Sequence, residues 1–265
     1  MRGRCRLTKS EGKFVRSHLI PRALTKLSPN GEKMLEYGQG LDKVILRPTS
    51  WYDNELVTDK GESILARYDT RGVNELRRLG VVWSSEGHSD LVHDSIDAES
   101  GWGLTRLQSD YPEHLRMFFL SLLWRCAASQ KFEFADISIP EDDLEYLRFL
   151  CLSGNRGNED DFPTTLIVMS TKGDPHNHTP RRVTYPRPDG AGQSFPAANY
   201  FRFYFDGLVV LMGQKPKDAD LLAETKNNSV GFDKSFFAMS VPYERSAQRD
   251  NLIQIVKSAI DQARH

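Results

Sequence analysis

The sequence predicts an α+β protein with a helical middle and a β-rich α/β C-terminal part that ends in a helix. Three observations carry this. Leu115, Phe118, Phe119, Leu122, Leu123 and Cys126 recur at helical spacing as one apolar stripe. Asp206-Gly207 stands between the apolar runs 200–205 and 208–212, the strongest short hairpin signal a sequence can offer. A polar, turn-rich stretch, 155–161, separates these two textures. With 265 residues, 39% of them apolar and 27% charged, the chain can bury a core and suits one or two domains. The natural divisions are 1–80, 81–155 and 156–265.

Taken in order, 13–17 reads as a short strand entered by the turn Lys9-Ser10-Glu11-Gly12, and Pro21 ends the apolar pair that follows it. Ser28-Pro29-Asn30-Gly31 marks a loop, and 43–46 reads as a second strand stopped at Pro48. Ser50-Trp51-Tyr52-Asp53 and Asp59-Lys60-Gly61-Glu62 both have the form of a capping box. They predict one helix, or two broken near Thr58, running to about Leu79 with Ile64, Leu65, Tyr68, Leu76 and Leu79 inward. Residues 84–108 lack a period and read as an irregular connector. Asp110-Tyr111-Pro112 opens the striped helix. Phe132, Phe134, Ile137 and Ile139 suggest a strand, and Pro140 starts a helix that Gly154 ends. Beyond 161, strands are predicted at 164–170 and 236–241, with a long Pro/Gly loop over 172–196. A last helix, 246–263, would bury Leu252, Ile255, Val256 and Ile260.

No apolar run approaches the ~18 residues of a membrane span, and the charged start leads into no apolar signal segment. Three scattered cysteines, Cys5, Cys126 and Cys151, argue against a disulfide framework. A cytoplasmic location is the expectation. The net charge of −1 conceals an uneven distribution. Arg2, Arg4, Arg6, Lys9, Lys13, Arg16, Arg22 and Lys26 face a single acid, Glu11, within the first 26 residues. Such a lobe can focus a field on phosphates; equally, its arginines can pair with acids elsewhere in the fold.

The sharpest local pattern is Phe14-Val15-Arg16-Ser17-His18-Leu19-Ile20-Pro21. A basic strand ending in histidine would hold an imidazole at a strand end, and histidine titrates near neutrality, as a general base requires. Phosphodiester hydrolysis also calls for a divalent metal on the leaving oxygen. A histidine that merely buttresses the strand is the other reading.

Cys5-Arg6-Leu7 followed by Ser17-His18-Leu19-Ile20-Pro21 resembles the bacterial and prophage HNH-like proteins marked by a Ser-His-Ile-Ile-Pro signature. Looser similarity lies in Gly40-Leu41-Asp42-Lys43-Val44-Ile45-Leu46, in 120–125 and in 147–150, so it covers about 1–155. The resemblance implies an N-terminal degenerate ββα-metal finger. It also implies a metal-dependent endonuclease acting on DNA in bacterial or mobile-element conflict, or an inactive nucleic-acid- or protein-binding subunit of a defence complex. His18 would be the general base, Asp53 the metal carboxylate with Glu62, Asn54 and Glu55 as weaker candidates, and Arg16, Arg22 and Lys13 the phosphate contacts. The cofactor would be magnesium or manganese. Ser17 stands where the family often has an acidic ligand, Thr8 where Cys5 needs a partner, and Arg47 and Ser50 where a second cysteine pair belongs. One thiolate cannot build a four-cysteine zinc site. A zinc-free finger would be held by packing through Trp51, Tyr52 and Leu56.

Other features read more simply. His176-Asn177-His178 lies between two prolines and suggests a solvated loop. His88 and His93 with Glu86, Asp90 and Asp94 suggest a polar surface loop. Arg125 could pair with Glu145, and Trp124 belongs at the edge of the core. The aromatics of 200–205 can stack bases, but their alternation fits one sheet face packed on a helix. Arg181, Arg182, Arg187 and Arg202 would extend a basic surface.

Overall fold

A computed structural model describes residues 1–25, 34–37, 45–47, 50–88, 91, 93–188, 194–214 and 229–263. The protein is α+β. Among the described residues four helices accompany a nine-stranded mixed sheet and two small ribbons. The helices are α1 (Asp59–Arg78), α2 (Pro112–Ala128), α3 (Glu141–Ser153) and α4 (Ala247–Ala263).

The N-terminus forms a hairpin of β1 (Arg2–Arg4) and β2 (Glu11–Lys13). A second ribbon pairs β3 (Ser17–His18) with β6 (Tyr52–Asp53). Between them β4 (Met34–Tyr37) and β5 (Ile45–Arg47) leave the ribbon and join the large sheet. That sheet continues with β7 (Ser95–Ile96), β8 (Gly103–Gln108), β9 (Thr164–Met169), β10 (His176–Pro188), β11 (Ser194–Phe205), β12 (Leu208–Gly213) and β13 (Ser235–Val241). Its order is β5-β4-β10-β11-β12-β9-β13-β8-β7. Strands from all three sequence segments therefore meet in one sheet.

Alternation along the central strands builds two cores. Phe201, Phe203, Phe205, Leu208, Val210, Leu166, Val168 and Phe236 point to the face covered by the helices, where Phe205 meets Phe118 of α2 at 6.4 Å. Tyr204, Val209, Met169 and Val241 point to the other face and pack with Trp83 and Tyr243. Helix α2 lies in the middle of the first core, and every residue from Leu115 to Cys126 is buried. A helix enclosed this way needs apolar residues all round, which the single-stripe expectation understated. Gly72 lets α1 approach it, because a Cβ there would overlap Phe118 at 2.3 Å. Asp206 and Gly207 turn β11 into β12 with φ of 50° and 77°, the left-handed pair a two-residue hairpin demands.

Several expectations are corrected. Ser50-Trp51-Tyr52-Asp53 starts no helix, because the Ser50 hydroxyl donates to the Ile20 carbonyl at 2.8 Å and the next residues pair with β3. Helix α1 begins only at Asp59. The strand expected over 13–17 is interrupted at Phe14–Arg16, where Phe14 bridges Thr58 and the Val15 N–H donates to the Val57 carbonyl. The connector 84–108 contains β7 and β8, whose exposed partner residues hid the alternation. Phe132–Phe134 is a 3₁₀ turn rather than a strand. The loop expected over 172–196 is largely β10 and β11. Pro180 is tolerated there because the β10–β11 register shifts between His178 and Arg181. His176-Asn177-His178 is consequently buried, and so are His88 and Arg202. Both faces of 201–205 are covered, not one. In α4 Leu252 of the expected stripe is buried, whereas Val256 and Ile260 are exposed. The loop at 28–31, Lys43 and Val44 of the second strand, Pro48, Asp90 and residues 40–42 lie outside the described residues, as do the side chains of Ile255 and Arg187. No described helix is long and apolar enough to cross a membrane.

Candidate functional site

The β1–β2 turn and the segment after β2 are both pinned onto the chain that returns before α1. Arg6 N–H donates to the Leu56 carbonyl and Leu19 N–H to the Trp51 carbonyl, while Ser17 faces Asp53 and His18 faces Tyr52 in the ribbon. The paired strands β3 and β6 thus lie beside α1, although β4 and β5 intervene between them in the chain. Trp51 and Leu56 are buried, and Trp51 meets Phe134 edge-on at 5.9 Å. Cys5 is fully buried. Its sulfur accepts the Thr8 N–H at 3.4 Å and lies so close to α1 that a Cβ at Gly61 would approach it to 2.8 Å. The thiol fills the joint between the N-terminal turn and the helix.

His18 lies on the wall of a cleft of about 360 Å³ between this ribbon and α1, shared with Arg22, Glu62, Asp69, Asn74 and Arg77. Its ring meets Tyr52 edge-on at 6.4 Å, and Arg16 stacks on the same Tyr52 at 3.6 Å. Partial burial lowers the His18 pKa, and the cations Arg16, Arg22 and Arg125 lower it further. The imidazole is therefore neutral at physiological pH.

Two carboxylates, Glu62 and Asp69, share the cleft. Glu62, Ala66, Asp69 and Val73 are spaced to fall on one face of α1. Burial raises the Glu62 pKa against the effect of a neighbouring Ser17 hydroxyl, and its Oε2 has no hydrogen-bond partner. Asp69 is held in the fork of Arg125, whose Nη1 donates to Oδ2 at 3.0 Å and whose Nη2 donates to Oδ1 at 2.5 Å. Arg125 spends its remaining donors on the His18 carbonyl and on Ser121, so a fully enclosed guanidinium ties α2 to α1 and to β3. The partner expected for Arg125 was Glu145. That acid instead binds Arg148 and Lys9 at the surface, because α3 places it beside the N-terminal turn.

Asp53, the favoured metal carboxylate, sits on the ribbon opposite Ser17, and strand alternation sends it to the face away from His18. Its Oδ1 accepts the Glu55 N–H at 2.8 Å and its Oδ2 the Ser129 hydroxyl at 2.7 Å. Of the expected phosphate contacts, Arg22 lines the cleft, Arg16 flanks it on Tyr52, and Lys13 lies outside its lining on the hairpin opposite Arg2. Residues not anticipated here are Asp69, Asn74, Arg77 and Arg125. The spacing of Glu62 and Asp69 on α1 was the available signal for the first.

The donor set does not suit a resident metal. Asp53 already has a hydrogen bond to each oxygen and Asp69 has both oxygens in an arginine fork, which leaves Glu62, with its unpartnered Oε2, as a single carboxylate ligand in the cleft among the described residues. No group of three or more histidine, cysteine or acidic side chains converges among the described residues. Comparison with protein-family models, curated proteins and solved structures returned no match.

Proposed function

We propose that this chain is an HNH-like nucleic-acid-binding protein whose finger cleft grips the DNA backbone without metal-dependent cleavage. One observation carries the reading. The strand-end His18 opens onto a cleft lined by two guanidiniums, exposed Arg22 and Arg77, the latter held by the Ala23 carbonyl and the Ser84 hydroxyl, while Asp69 on the same wall is paired with Arg125. A phosphate entering it would meet exposed Arg22, the partly exposed Arg77 and an imidazole edge. Backbone contact of this kind releases counterions and is insensitive to sequence. The arrangement of β3, β6 and α1 around His18 supports the likeness to an HNH finger. A protein partner in a defence assembly remains part of the same proposal.

The test is anisotropy of a labelled DNA with the full chain over a salt series. Binding should weaken steeply with salt, and Arg22→Ala should reduce the logarithmic salt slope by about 1. Incubation with magnesium or manganese should leave the DNA intact. The second reading, an active endonuclease with His18 as general base, is favoured by the neutral state of that imidazole. Manganese-dependent nicking that vanishes in His18→Ala would establish it in place of the first.

A further inference from the structure

The His18 cleft is not isolated. Ala66 and Thr70 on its α1 wall also belong to a shallow depression over the helix, completed by Arg67 and Arg71. Arg67 and Arg71 in turn line a third depression, of about 260 Å³, whose far wall carries His114 and Met117 of α2 and Leu152 of α3. Shared residues link the three into one stretch of surface that crosses α1 from side to side, with Glu113 the acid that lines its far part. At its far end Tyr111 lies flat against His114, with ring centroids 5.0 Å apart and planes 16° from parallel. Tyr111 is 54% exposed, although no structural role in the core requires an aromatic ring there.

We infer that this surface is the path of a single strand of nucleic acid, running from the His18 cleft over Arg67 and Arg71 to a base-stacking platform at Tyr111 and His114. The inference rests on the function proposed above and adds the strandedness and route of the ligand. A helix with its side chains is ~10–12 Å across, so a strand of a few nucleotides can reach both ends. Arginines spaced along the route suit successive phosphates, and the open aromatic face suits any base. A duplex is too wide to follow a depression that bends over a single helix.

Fluorescein-labelled oligo(dT) of about 4, 8 and 12 nucleotides, and a 12-base-pair duplex, would be titrated against the full chain by anisotropy. Affinity should climb by about tenfold or more between the shortest and longest single strands. The duplex should bind more weakly than the 12-mer. Arg67→Glu with Arg71→Glu should remove the gain with length while sparing the 4-mer, and Tyr111→Ala should weaken the 12-mer by about fivefold or more. Arg22→Glu should weaken every length alike. These residues are exposed, and melting curves of the variants should match the parent. If the α1 and Tyr111 variants hold the 12-mer as well as the parent does, or the duplex binds more tightly, the path is wrong while binding at the cleft stands. Failure of every oligonucleotide to bind the parent would overturn both.

Discussion

The two ends of helix α2 bury the same side chain in opposite ways. At the end beside His18 Arg125 is enclosed against a carboxylate, and its ion pair with Asp69 raises the guanidinium pKa despite the desolvation that opposes it. At the sheet end Arg116 is equally enclosed but donates to backbone carbonyls of Arg156, Asn158, Asp161 and Phe162, and burial lowers its pKa to about 10. One end balances charge with charge; the other spreads it over peptide dipoles. Arg125 thereby holds three separate elements in register around the cleft, whereas Arg116 braces the turn that follows α3 and packs against Gly231 and Phe232. The site lies where charges are paired, and its geometry depends on that pairing.

The largest test of this contrast is Asp69→Ala. It strands the buried Arg125 charge and should cost about 3–5 kcal/mol, read by urea denaturation. Replacing both partners by apolar residues, Arg125→Met with Asp69→Leu, should recover most of that loss; equal destabilisation by the double variant would show that the fork, not the charge balance, sets stability.

Acid probes the sheet side next. Burial lowers the pKa of His178 to about 4, and those of His88 and His176 are also depressed. The unfolded chain takes up these protons first, so stability is complete above about pH 6.5 and drains away as pH falls toward 4. For His178 alone the loss over that window is roughly 3 kcal/mol. A Tm series from pH 7 to 4 should show the decline, flattened in His178→Gln.

Arg116→Met should cost about 2–3 kcal/mol, since it orphans carbonyls but also relieves a buried charge. The smallest expected effect has the opposite sign. Glu62 has a raised pKa, so its ionisation opposes folding once pH rises above about 4.5. Glu62→Gln should therefore stabilise the protein at pH 7 by less than about 1 kcal/mol, seen as a higher Tm. Destabilisation instead would mean that the carboxylate has a structural partner.

What could be read from the chain depended on how local each signal was. The Asp206-Gly207 turn, the αL stop at Gly154 and the apolar stripe of α2 are decided by neighbours in sequence, and each is found in the structure. His18 was legible as a strand-end histidine for the same reason. The partners of that histidine were not. Asp69 is neutralised in the cleft wall by an arginine 56 positions away. Asp53 is taken out of reach by a hydroxyl 76 positions away. Burial of His176 and His178 depends on β11 and on β4, so a proline-flanked tripeptide with no apolar pattern gave no hint of it. Composition spoke for a loop, and long-range pairing overruled it.

The excursion between β3 and β6 has a consequence for anyone who would cut this protein into parts. Its strands β4 and β5 are stitched into the edge of the large sheet, with β4 lying parallel to β10. The first 80 residues cannot be lifted out as a free-standing unit without leaving those strands raw-edged. The ribbon that carries His18 and the far edge of the large sheet are drawn from one continuous stretch of chain.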